Sequence, residues 1–308
     1  MLANIKTRLR VPIDKLPYIR RLRKIVDDAG AYVPGHYYSP IPSREEVSEV
    51  VTRIRAEQTG RSEPAGIRLN GDKQRDLLKA FETFYKDLPF QEEQSDSCRY
   101  YFRQSPYPYP DAIFLYSFLR HVQPKQIIEV GSGFSSAVIL DTVERFFPQP
   151  PKLTFIEPYP VTLTRLLRPA DARRVTIIKE RVQTTPLELF ESLNSGDLLF
   201  IDSSHIVKCG SDVSFLIFEV LPRLPVGVYV HFHDIFQSFE YPEEWLLQGW
   251  YWNEAYFLRA LLSNNQAWEI HFFNNYVRTA FEDFLAAKMP LCLRDVGGSL
   301  YIRKIAEG

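Results

Sequence analysis

The stretch Ile127-Ile-Glu-Val-Gly-Ser-Gly-Phe-Ser-Ser136 decides how the rest of this chain is read. A short β-branched run, Gln126–Val130, ends in an acid and a Gly-x-Gly turn, and small hydroxyl residues then open a helix predicted over 135–146. Glycine lets the backbone turn tightly and approach a ligand closely, while a helix N-terminus presents unpaired N–H groups. In an open α/β sheet the crevice at the carboxyl ends of the strands is where nucleotides bind.

Outward from this turn the pattern repeats. Apolar runs predict strands over 153–156, 175–179, 197–201 and 227–232, with helices over 161–167, 186–192 and 213–221 between them. Runs apolar on both faces and joined by helical crossovers imply a parallel sheet buried between helix layers. A helix over 254–262 and strands over 268–273 and 299–303 follow. Before the sheet, a helix is predicted over 74–86, and Asp111 reads as the cap of another helix running to about Val122. Ser43 with Glu45 and Glu46 marks a further helix start. The first 110 residues are therefore expected to form an N-terminal cap of helices and irregular strips, and residues 111–308 the ligand-binding domain.

Composition bounds the function. With 45% hydrophobic and 24% charged residues the 308-residue chain has a normal globular balance. A formal net charge of −1 supplies no global field for nucleic acid. A local basic patch (Lys6, Arg8, Arg10, Lys15, Arg20, Arg21, Arg23, Lys24) reads as a solvated helix face, although such clusters also bind phosphate or lipid headgroups. No stretch approaches the ~20 apolar residues of a membrane span. Cys98, Cys209 and Cys292 lie far apart with no CxxC pair, which fits a reducing compartment. A cytoplasmic location is expected.

The ligand at the Gly-x-Gly turn is constrained by what surrounds it. Position 136 is Ser, so the third glycine of a dinucleotide fingerprint is absent. Glu129, just before the first glycine, suits a ligand carrying an ammonium group and would sit badly beside a pyrophosphate. Glu157, at the end of the second strand, stands where an acid accepts hydrogen bonds from ribose hydroxyls. Later strands end in Phe200-Ile-Asp-Ser-Ser-His205 and Val230-His-Phe-His-Asp-Ile-Phe236, offering Asp202, His205, His231, His233 and Asp234. Imidazoles and carboxylates converging from adjacent strands bind a divalent metal or do acid–base work. His231, inside an apolar strand, is expected to be structural. The aromatics between Phe236 and Trp252 could form a lid over an acceptor.

With these residues in view, the segment Glu129-Val-Gly-Ser-Gly133 resembles motif I of the class I, Rossmann-like S-adenosylmethionine-dependent methyltransferases, and Glu157 matches that family's ribose-binding acid. The resemblance implies a seven-stranded, mostly parallel sheet with a reversed last strand and helices on both faces. It implies S-adenosyl-L-methionine as cofactor, bound by Glu129, Gly131, Ser132, Gly133, Glu157 and Asp202. The later segments are similar to metal-dependent O-methyltransferases of the catechol type. That likeness implies a divalent ion on Asp202, His233 and Asp234 and a base at His205 or His233. Here His205 stands in place of a lysine and His233 in place of an acid, which shifts preference from magnesium toward manganese, iron or zinc, or toward no metal at all. The expected reaction is O-methylation of a small-molecule hydroxyl, on a sugar or natural product, by a chain whose cap could serve a homodimer or a lid. Two readings stay open beside it: a non-catalytic binding protein on this fold, and a metal-dependent oxygenase or hydrolase.

Overall fold

The structure, a computed structural model, describes residues 16–28, 30–57 and 63–307. These fall into two compact units: the described residues up to 57 together with Pro242–Tyr251, and the remainder. The basic residues Lys6, Arg8, Arg10 and Lys15 lie outside the described residues.

The smaller unit contains helix α1 (Pro17–Asp28), helix α2 (Arg44–Glu57) and the short helix Glu243–Gln248. The Ser43 hydroxyl accepts the Glu46 N–H at 3.1 Å, and the Glu46 carboxylate accepts the Ser43 N–H at 2.6 Å. This is a capping box, which satisfies two N–H groups that the first helical turn leaves unpaired. Arg55, in the last turn of α2, pairs with Glu243.

The larger unit is built on seven strands: β1 (Gln126–Val130), β2 (Lys152–Ile156), β3 (Val175–Ile178), β4 (Leu198–Ile201), β5 (Tyr229–Phe232), β6 (Trp268–Phe273) and β7 (Leu300–Lys304). Their order across the sheet is β3-β2-β1-β4-β5-β7-β6. All pair in parallel except β7, which runs antiparallel between β5 and β6. The seven-stranded sheet with one reversed strand is the expected architecture, and it points the carboxyl ends of β1, β2, β4 and β5 to one edge.

Alternation along each strand divides the buried side chains between two faces. Ile127, Leu153, Phe155, Leu198 and Phe200 share one core with helices α3 (Gly71–Tyr85), α4 (Tyr109–Val122) and α5 (Phe134–Phe146). Ile128, Leu199 and Ile201 are buried on the other. Helix α4 is enclosed from Pro110 to Leu119, as its run Ala-Ile-Phe-Leu-Tyr-Ser-Phe-Leu, apolar almost all round, requires. Each of its large apolar side chains withdraws enough surface to contribute about 1.5–3 kcal/mol.

Three expectations are corrected. Residues 63–110 were expected in the cap, but Leu77, Leu78, Phe81, Phe90 and Tyr100 are buried in the same core as α4 and the sheet. Asp111 is no helix cap: α4 begins at Tyr109, and Asp111 is enclosed within its first turn. The helix predicted over 213–221 is regular only over Asp212–Phe215 and then widens into a π-turn over Leu216–Val220. Pro222, which has no N–H to continue the ladder, comes two residues after its end.

The loop before α4 is tied down by Arg99. Its guanidinium reaches Asp141 at 2.7 Å, Glu144 at 2.8 Å and Asp171 at 2.6 and 2.9 Å, and Asp141 also accepts the backbone N–H groups of Arg99 and Tyr100. Arg99, Asp141 and Asp171 are all buried. Removing the cation strands two enclosed carboxylates. Arg99→Ala is therefore expected to lower stability by about 3–5 kcal/mol in urea unfolding; a loss under ~1 kcal/mol would refute the arginine as the tie of this loop.

Candidate functional site

At the carboxyl end of β1 the chain turns through Gly131, whose φ is +80°. The Gly131 N–H donates to the Ile156 carbonyl at 3.0 Å, and the Asp202 N–H donates to the Val130 carbonyl at 2.9 Å. The three strand ends are thereby laced together. A Cβ on Gly131 would lie 1.6 Å from the Asp202 carbonyl oxygen. This glycine is thus demanded by backbone meeting backbone, before any ligand is considered. Gly133 is different: a Cβ there would meet only the Thr162 methyl, at 3.8 Å.

Glu129 is fully enclosed. One carboxylate oxygen accepts the Ser136 hydroxyl, and the other, Oε1, makes no hydrogen bond. Burial pushes this carboxyl up to about 8. Glu157 is half-buried and preset, accepting the Ser132 N–H at 3.2 Å and the Tyr159 N–H at 2.7 Å. The Ser132 hydroxyl is buried without a partner. An enclosed acid with a spare oxygen, open space over Gly133 and a second acid one strand away suit a ligand with an ammonium and a diol. Just past β3, Val182 is buried and the Gln183 amide donates to the Gly210 carbonyl.

The ends of β4 and β5 bring four of the predicted residues together. Asp202 Oδ1 lies 3.4 Å from His233 Nδ1 and 3.5 Å from His205 Nε2. Asp234 Oδ2 lies 3.6 Å from each of the same two nitrogens. Burial works against charge here, but the histidines hold Asp202 below the usual carboxylate value. Asp234, where burial dominates, is raised. Despite burial, the flanking carboxylates raise His205 and hold His233 well above the usual imidazole value. One oxygen of Asp202, one of Asp234 and one nitrogen of His233 lie within 4.8 Å of one another, close enough to share a cation. His231 stands apart, stacked on Phe200 at 3.8 Å with both ring nitrogens unpartnered, and burial drives it well below the usual value. It is a core residue, as its apolar strand suggested.

Two residues turn the backbone to make the cluster: His205 at φ +59° and Asp234 at φ +58°. Histidine and aspartate tolerate this left-handed region better than most side chains. Gly298, leading into β7, packs its backbone against Asp234, where a Cβ would come within 3.0 Å.

Sequence reasoning missed the carboxylates behind the histidines. Glu254 opens helix α6 (Glu254–Leu262), is 1% exposed, and its carboxylate meets His205 Nδ1 at 2.9 Å. The His205 carbonyl in turn accepts the N–H groups of Asn253 and Glu254, so histidine and helix start cap each other. Behind His233, Asp111 Oδ2 lies 3.7 Å from Nε2. Asp111 Oδ1 accepts the Ser299 hydroxyl at 2.6 Å, the Asn274 amide at 2.8 Å and the Gly298 N–H at 3.1 Å. The expected aromatic lid is divided. Trp252 lies tilted against His205 with ring centroids 4.4 Å apart, whereas Phe239 and Tyr241 are buried and Trp245 and Trp250 belong to the smaller unit.

Residues 128–235 match a family model described as a methyltransferase domain. That stretch contains every site residue predicted from the sequence and excludes Asp111 and Glu254. An uncharacterized protein of Archaeoglobus fulgidus is 33% identical over 172 residues, covering 54% of this chain and 75% of that protein. Loose likenesses among solved structures include a methyltransferase of Podospora anserina bound to S-adenosylhomocysteine, 14% identical, covering 90% of this chain and all of that one at a TM-score of 0.43. Another is an O-methyltransferase of tomaymycin synthesis from Streptomyces achromogenes, 13% identical, covering 83% and 96% at a TM-score of 0.42.

The close approach at Gly131 gives a test that needs no ligand. Gly131→Ala is expected to destabilise the free protein by about 2 kcal/mol or more, from the strained φ and the displaced Asp202 carbonyl. Thermal unfolding checks it, and an unchanged melting temperature would refute the contact between the two turns.

Proposed function

Because this chain belongs to the Rossmann-like methyltransferase family, we propose that it moves a methyl group from S-adenosyl-L-methionine to the hydroxyl oxygen of a small molecule such as a sugar or natural product. The observation that carries this reading is the contact of Gly131 with Asp202, which sets the ammonium-seeking turn and the acid–imidazole cluster on one shared wall. A donor held over Gly133 would then have its reacting end beside Asp202.

In this reading Glu129 pairs with the donor's ammonium through its free oxygen, Ser132 and Gly133 line the turn, and Glu157 receives the ribose hydroxyls. When bound, the donor supplies a methyl on a positively charged sulfur, ready for in-line attack. A hydroxyl is a poor nucleophile until its proton has somewhere to go. His205 would take that proton at Nε2. Glu254, on Nδ1, fixes the ring tautomer and stabilises the imidazolium that results. Asp202, His233 and Asp234 would hold a divalent ion, which would supply positive charge favouring a deprotonated acceptor. One imidazole among the donors suits manganese, iron or zinc better than magnesium. Asp111, 3.7 Å behind His233 Nε2, would have to close to hydrogen-bond distance to orient that imidazole.

Calorimetric titration with S-adenosylhomocysteine, before and after chelator treatment, tests the cofactor and the ion together. Micromolar affinity is expected; no binding in either state would overturn the reading. Glu129 is mostly protonated at pH 7 when free, with its carboxyl near 8, and must ionise to meet an ammonium. Binding should therefore release roughly one proton at pH 7, measured by repeating the titration in buffers of different ionisation enthalpy. That release should vanish in Glu129→Gln, and proton uptake would contradict the pairing. For the base, His205→Asn, which suits the left-handed turn, should lower turnover at least ~100-fold with S-adenosylhomocysteine affinity kept, and a variant of full activity would remove His205 from the chemistry.

A further inference from the structure

Helix α1 carries two opposed faces. Tyr18, Leu22 and Val26 recur every four residues, so they stand above one another on one side. All three are exposed, at 70%, 41% and 61%, and Leu16 beside them is 53% exposed. Arg20, Arg21, Arg23 and Lys24 lie between them along the helix and are exposed as well. A helix in water does not ordinarily hold an aliphatic stripe out to solvent along its length.

Charge says what would cover it. Residues 1–28, through the end of α1, contain eight lysines and arginines against three acids, Asp14, Asp27 and Asp28, in a chain whose formal net charge is −1. A second copy of the chain would bring two such segments together, like charge against like. A nucleic acid would satisfy the arginines and leave Tyr18, Leu22 and Val26 unused. A bilayer with anionic headgroups satisfies both faces: its phosphates meet the basic side, and the boundary of its acyl chains takes the apolar side.

A second observation in the same unit points the same way. Four residues beyond α1, Tyr32, His36, Tyr37 and Tyr38 form one cluster of rings, with Tyr32 stacked on His36 at 4.4 Å and His36 on Tyr37 at 4.5 Å. Tyr37 is 79% and Tyr38 62% exposed, with Val33 beside them at 66%. Rings with an apolar body and a polar tip settle at headgroup depth. No described helix is long and apolar enough to cross a membrane, so such a helix would lie on the surface and not through it.

We propose that the N-terminal segment is a surface anchor for anionic membranes: α1 lies flat in the headgroup layer on Tyr18, Leu22 and Val26, and Tyr37 and Tyr38 anchor beside it. The full chain is tested by co-sedimentation with vesicles of phosphatidylcholine alone and of phosphatidylcholine with about one-third phosphatidylglycerol. Binding is expected to the anionic vesicles at 0.1 M salt, at the order of magnitude of a Debye length of ~10 Å, and to weaken steeply toward ~0.5 M. Leu22→Glu and Val26→Glu should each lower the partition coefficient about tenfold. Arg20→Ala and Arg21→Ala should each lower it about fivefold. These positions are exposed, so the variants keep the wild-type melting temperature. Equal binding to neutral vesicles, or binding unmoved by Leu22→Glu, overturns the anchor. So does a dimer that Leu22→Glu dissociates, or binding of single-stranded RNA in place of vesicles.

Discussion

No Cβ fits between the turn after β1 and the carbonyl of Asp202, and the rest of the site is arranged around that fact. Parallel strands fix their own spacing through the ladder, but once they leave the sheet their ends are free to diverge. Here they stay together because the Gly131 N–H is tied to β2 and the Asp202 N–H to β1. Glu129, Glu157 and Asp202 therefore hold fixed positions relative to one another with no ligand between them. Preorganisation of this sort is what lets a site favour charge that develops only during reaction.

The second constraint is the handling of buried charge. An enclosed carboxylate is expensive unless it is paired or saturated with hydrogen bonds. Asp111 meets this with three donors on its Oδ1, drawn from the helix over Asn274–Ala280 and the lead-in to β7. Glu254 meets it on one oxygen, through His205, while its Oε1 has no partner. Glu129 does not meet it fully, since one of its oxygens has no partner.

What the sequence made legible was whatever is written locally. A β-branched run, an acid and a Gly-x-Gly turn lie within eight residues, and the strand ends carrying Asp202 and His233 each follow an apolar run closely. Glu254 reaches His205 from 49 positions away, and as an acid in the first turn of a helix it looks like any other. Asp111 hid for the same reason: an acid near a helix start reads as a cap, and only tertiary packing shows it enclosed behind His233. The domain boundary failed on a related point. The apolar face of α3 announces that Leu77, Leu78 and Phe81 are buried, but nothing local tells which core receives them. Tertiary partners are set by chain closure over long distances, and spacing alone does not encode it.

His205 and Asp234 share a left-handed backbone, and this limits what the site can become. Lysine, the residue His205 replaces in the enzymes it resembles, is poorly suited to such a conformation, as is any β-branched side chain. Asparagine, aspartate and glycine suit it, so substitutions that keep the loop are confined to short polar groups or none. Evolution toward another acceptor would find these two positions nearly closed and would have to proceed through neighbours that leave the turn intact. The chemistry available at this strand edge is thus narrowed by main-chain shape before any substrate selects among side chains.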